Sequence, residues 1–107
     1  MNTKEQVKQE NDKLRRSLAT TSRSRVRLTP GVSEADNKGE ILEAIRSFDS
    51  FNGDNDPHGE HDCAIVKVGS ESYMFKIDYY DLNLEYGVDP TEEDCVRVIT
   101  IMHSSEY

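Results

Sequence analysis

The sequence predicts an α+β fold: an antiparallel three- to four-stranded sheet packed by one helix, with an additional N-terminal helix. Three observations lead there. Residues 63–80 alternate apolar and polar positions on both sides of Gly69-Ser70, the pattern of two strands joined by a tight hairpin. Ile41, Leu42, Ala44, Ile45 and Phe48 recur at three- and four-residue spacings, which gives a helix with one apolar face. The 107 residues are enough for one core, and a composition 35% hydrophobic and 32% charged leaves part of the chain as arm or solvated loop. The division follows the charge, with a basic helix and connector over residues 1–24 and a single acidic α+β domain over residues 25–107.

The N-terminal helix is expected over residues 3–18. Val7, Asn11, Leu14 and Leu18 fall on one stripe at spacings of four, three and four. A stripe this thin cannot hold an isolated helix of that length in water, so it must dock on the body or on a partner. Residues 19–24 show no periodicity and read as a flexible connector. Residues 26–29 make a short strand, closed by a type II turn in which Pro30 presets φ and Gly31 supplies a positive φ. The second helix spans residues 37–51, is stopped by Gly53, and covers the sheet.

Residues 52–62, with two glycines and a proline, form a loop. In the hairpin a two-residue turn sets Val68 opposite Glu71, Val66 opposite Tyr73, Ala64 opposite Phe75 and Cys63 opposite Lys76, and it brings His61 opposite Asp78. Ala64, Val66, Val68, Tyr73, Phe75, Ile77 and Tyr79 then share the core face. Residues 82–93 are a second acidic loop in which Asp89-Pro90 caps one helical turn. Residues 95–102 are apolar on both faces apart from Arg97 and Thr100, the pattern of a central or covered strand.

The net charge of -8 is unevenly placed. Residues 1–29 hold eight basic and three acidic groups, a balance of +5, and the rest of the chain has a balance of -13. Such a body repels nucleic acid and membranes and attracts basic surfaces at long range. The N-terminus lacks the apolar stretch of a signal peptide and no apolar run approaches a membrane span, so a cytoplasmic location is expected. Cys63 and Cys95 are then free thiols filling apolar positions.

Two metal patterns meet in the first loop. Asp54, Asp56 and Gly59 fit a calcium loop, but Ile65 stands where its closing bidentate glutamate belongs, and the match fails. His58 and His61 with Asp56 and Glu60 offer imidazole and carboxylate ligands suited to zinc, iron or manganese. Against this, Asp and Asn are ordinary turn residues, and His61 can pair with Asp78 across the hairpin. No glycine-rich phosphate loop, nucleophile elbow or Cys/His pair is present, so neither catalysis nor a cofactor is expected. Tyr73, Tyr79, Tyr80 and Tyr86 read as core or interface.

The signature Asn55-Asp56-Pro57-His58-Gly59-Glu60-His61-Asp62, with Lys76-Ile77-Asp78-Tyr79-Tyr80-Asp81, Thr100-Ile101-Met102 and a closing Glu106-Tyr107, resembles a small bacterial family of unknown function common on plasmids and other mobile elements. Leu28-Thr29-Pro30-Gly31 and the upstream Asn11-Asp12 fit the same resemblance, whereas His103-Ser104-Ser105 departs from its apolar residue and alanine. The resemblance implies membership and context but no activity. Together with the acidic body it leads to the expectation of a mobile-element inhibitor of anti-CRISPR or anti-restriction type. Such an inhibitor, a monomer or homodimer, binds a host CRISPR effector or restriction complex and occupies its nucleic-acid groove. The partner-binding residues are then Asp54, Asp56, Glu60, Asp78, Tyr80, Asp81, Glu85, Asp89, Glu92 and Glu93. The alternatives are a metal-binding enzyme or sensor on His58 and His61, and an interaction or dimerisation module on the Tyr79-Tyr80 edge.

Overall fold

A computed structural model describes residues 3–107; residues 1 and 2 of the N-terminal segment lie outside the described part. Thr3 starts helix α1 (Lys4–Ser17) with a capping box, its hydroxyl accepting from Gln6 N while the Gln6 side chain accepts from Thr3 N. Leu18, in the left-handed region, closes it. The expected stripe is the buried one: Val7, Asn11 and Leu14 face inward, and so does Arg15. Residues 19–23 form a knitted turn where a flexible connector was expected, because Ser24 Oγ donates to Ala19 O and Thr21 Oγ1 accepts from Arg23 N.

Strand β1 (Ser24–Leu28) runs into helix α2 (Pro30–Ser33), which replaces the expected type II turn. Gly31 has no positive φ and serves instead as a point of close approach. Its N–H donates to Glu106 Oε2 at 2.9 Å, and a Cβ there would overlap the Glu106 carboxylate. Glu106 Oε1 also accepts from Thr29 Oγ1 at 2.7 Å and from His103 N at 2.8 Å. These donors, Thr29 first, hold its carboxyl below the usual range.

Helix α3 (Lys38–Ser47) is shorter than the 37–51 expected from its apolar spacing. Phe48 turns to extended backbone so that its ring, with Phe51, meets Phe75 edge-on at 6.4 and 6.3 Å. Ring packing, not Gly53, ends the helix. Strands β2 (Cys63–Val68) and β3 (Glu71–Tyr80) pair in the expected register, Val68 with Glu71 through Cys63 with Lys76, around Gly69 at φ 62°. Strand β4 (Val96–His103) lies inside the sheet, and Cys95 just precedes it. A 3₁₀ turn (Ser104–Glu106) follows, with the His103 ring accepting from Ser105 N.

The sheet order is β1-β4-β3-β2. The sheet is antiparallel except for β1, which pairs with β4 in parallel. Leu14 of α1, Val32 of α2 and Ile41 and Ile45 of α3 share one core with Phe75, Ile77, Ile99 and Ile101, giving two layers. The other face of the sheet has Val98 between Arg25 and Asp78, and Thr100 between Arg27 and Lys76. Val96, Val98 and Met102 of β4 are buried between the flanking strands β1 and β3. No helix among the described residues is long and apolar enough to cross a membrane.

Phe75 has no exposed surface, so Phe75→Ala is expected to cost about 3–5 kcal/mol, most of the stability of a domain this size, read by chemical denaturation. Gly31→Ala and Glu106→Ala should each lower Tm by about 5 °C. The double variant should lose little more than either single change, because both break the same contact.

Candidate functional site

The first acidic loop is organised by Asp56. Its Oδ1 accepts from Glu60 N at 3.2 Å and from His61 N at 3.1 Å, which folds residues 56–61 into a closed turn with Gly59 at φ 68°. His61 is held in the left-handed region at φ 55°, a conformation that persists only where surrounding contacts impose it. Those contacts are visible: the ring stacks on Phe51 at 3.9 Å and 7°, Nδ1 lies 2.9 Å from Asp12 Oδ1, and Nε2 lies 3.5 Å from Asp56 Oδ2. His61 therefore does not pair with Asp78, which takes Lys76 instead.

Asp12 extends the network into α1. The same oxygen accepts from Arg15 Nη2 at 3.0 Å, and Arg15 also donates to Phe48 O. Arg15 packs over the rings of Phe51 and Phe75 at 5.2 and 5.7 Å. One turn earlier, the fully buried Asn11 donates to Glu60 O at 3.0 Å and to Tyr79 Oη at 2.8 Å, and accepts from Arg97 Nε at 2.9 Å. Burial pushes the Tyr79 hydroxyl well above its ordinary range. Tyr79 thus points inward, and only Tyr80 of the expected Tyr79-Tyr80 edge belongs to the outer face.

The metal reading gains no assembled ligand set. Asp56 and His61 meet, but each imidazole nitrogen already faces a carboxylate and His58 is exposed. Among the described residues no group of three or more His, Cys, Asp or Glu side chains is placed to hold a metal ion.

The acidic residues expected to bind a partner divide into two sets. Asp56 is buried and committed to the loop, while Asp81 Oδ1 caps the second loop by accepting from Asn83 N and Glu85 N. Asp89 accepts from Thr91 Oγ1 and N, which holds its carboxyl low. Asp54, Glu85, Asp89, Glu92 and Glu93 are exposed. Glu60 and Asp62 are half-buried, and both carboxyls are raised, chiefly by burial. The next like-charge contribution comes from Asp62 for Glu60, and from Asp56 and Asp78 for Asp62. In the second acidic loop Leu82 and Leu84, which the apolar spacing did not single out, stand exposed beside Tyr86, expected as core or interface and here outside the core, with Leu84 at φ 59°.

A family model described as "Protein of unknown function (DUF3768)" matches residues 28–106. No curated protein and no solved structure matches. The matched segment carries β2, β3 and β4, the last residue of β1, both acidic loops and the Glu106 tie.

Glu60 has a folded-state pKa above its unfolded one, so ionising it costs stability that is absent at low pH and fully felt at neutrality. Glu60→Gln keeps the main-chain bonds of this residue. It should therefore raise Tm slightly near pH 7, the gain kept small by solvent screening of a partly exposed group, and have no effect near pH 3.5. Thermal unfolding across that range reads the difference.

Proposed function

The chain belongs to this family of unknown function, and for it we propose the role of a non-catalytic acidic inhibitor that occupies the Lys/Arg groove of a nucleic-acid-handling protein. The observation that carries this reading is the exposed set of carboxylates Asp54, Glu85, Asp89, Glu92 and Glu93 on a body whose charge balance is -13. So large an excess of one sign on exposed loops gives a field that attracts a basic surface. A phosphate-gripping groove is the complementary surface, since it carries fixed cations that a cluster of carboxylates can engage in place of phosphates. The exposed Leu82, Leu84 and Tyr86 favour a protein partner, because they add apolar contact area beside the charges. The partner class, a CRISPR effector or restriction complex met by a mobile element, comes from the resemblance in the sequence.

Protein used as bait in cells carrying such a defence system should capture the complex, and nucleic acid should compete for it. Affinity should fall by about tenfold or more between 50 and 200 mM salt. The side chains of Asp54, Glu85 and Glu92 are exposed, and reversing them to Lys should slow association while leaving Tm unchanged. Binding that ignores salt and these reversals, yet disappears with Tyr80→Ala, overturns the electrostatic mechanism in favour of an apolar hot spot.

A further inference from the structure

Two arginines are buried beneath α1, and only one has a counter-ion. Arg15 is paired with Asp12 at 3.0 Å. Arg97, 8% exposed, has no carboxylate partner among the described residues. Its Nε donates to Asn11 Oδ1 and its guanidinium lies 5.7 Å from the Tyr79 ring centre, but both partners are neutral. Its Nη2 is buried without any hydrogen-bond acceptor. Buried charges are ordinarily paired, because desolvation is costly and an unmet donor adds to that cost.

We propose that the missing counter-ion comes from outside the chain, and that Arg97, Arg23 and Lys13 form a binding site for a phosphate-class oxyanion. A cleft of about 130 Å³ opens between α1, the turn at residues 19–23 and the first residue of β1. That volume holds roughly four waters, or one phosphate group in their place. Arg97, Arg23 and Lys13 line it, and Glu10 is the one acidic residue that does.

The fold sets the two arginines side by side. Arg97 N donates to Arg23 O at 2.9 Å, and Ser24 is paired with Arg97 in the β1–β4 register. Arg23 meets Asp94 at 3.5 Å, where the carboxylate is 77% exposed. A wet pair of that kind is weak, so an incoming anion can draw the guanidinium away. Lys13 is exposed on α1 and has no ion pair among the described residues. Ser17 and Thr21 also line the cleft. Three cations against Glu10 and the exposed Asp94 leave a net positive site for a phosphate, and planar guanidinium forks match its oxygens. Lys13 and Arg23 come from the basic N-terminal part of the chain and Arg97 from β4, and the site does not depend on the inhibitor reading.

Two probes separate the sources of such an oxyanion, inorganic phosphate and a nucleoside 5′-monophosphate, each compared with sodium chloride at equal ionic strength. Full-length protein should show a saturable rise in Tm with one or both. It should also show displacement of the Arg97 Nε and Thr21 amide resonances. Tighter binding of the nucleotide assigns the site to a phosphate monoester, and equal binding assigns it to the free ion. Lys13→Ala and Arg23→Ala remove exposed side chains without disturbing the core, and each should weaken binding about tenfold. Arg97→Gln should abolish binding. Should that variant fail to fold, the Lys13→Ala/Arg23→Ala double variant carries the test. The proposal is overturned if neither probe exceeds the chloride control, or if the double variant binds like the parent.

Discussion

Asn11 is the residue on which the assembly turns. It is completely buried, yet all the capacity it uses is matched: its amide N–H groups reach Glu60 O and Tyr79 Oη while its carbonyl takes Arg97 Nε. One side chain thereby joins α1 to the first acidic loop, to β3 and to β4. Helix α1 needs this, because Val7 and Leu14 are its only buried apolar residues. Burying so little apolar surface gives a helix no unique seat. A hydrogen bond adds only about 1 kcal/mol net, but misplacing the helix would strand several buried polar groups at about 1–3 kcal/mol each. The seam therefore specifies position more than it supplies stability.

The same seam sorts the acidic residues. Asp12 and Asp56 are drawn inward by His61 and Arg15, and their charges are answered within the molecule. Glu60 and Asp62, which flank His61, have no ion pair among the described residues and sit where burial disfavours ionisation. The loop thus has a structural lining and a charged rim, built from adjacent residues of one motif. Its histidine belongs to the lining, stacked on Phe51, while His58 faces water.

At the opposite end Glu106 plays the corresponding part for α2. It gathers Thr29, Gly31 and His103, and so ties the last turn of the chain to the connection after β1. Between these two ties the sheet needs helices on one face only. On its other face Arg25, Arg27 and Lys76 stand in register beside Val98 and Thr100 of β4.

What the sequence determined by itself was local. Period-two alternation around Gly69-Ser70 set the β2–β3 register to the residue, because a slip of one would turn Phe75 and Ile77 to solvent. The spacing of Val7, Asn11 and Leu14 identified the buried stripe of α1, and Asn11 within it was a visible sign that a polar partner waited in the body. Tertiary structure alone decided the remainder. Whether β1 joins β4 in parallel, why Gly31 must lack a side chain, and which helix carboxylate His61 Nδ1 meets all depend on residues 49 to 75 positions away. Sequence periodicity carries no information at that range. The rim could be counted as charge from the sequence, but burial chose which carboxylates are neutralised and which remain crowded, and burial is a property of the folded chain.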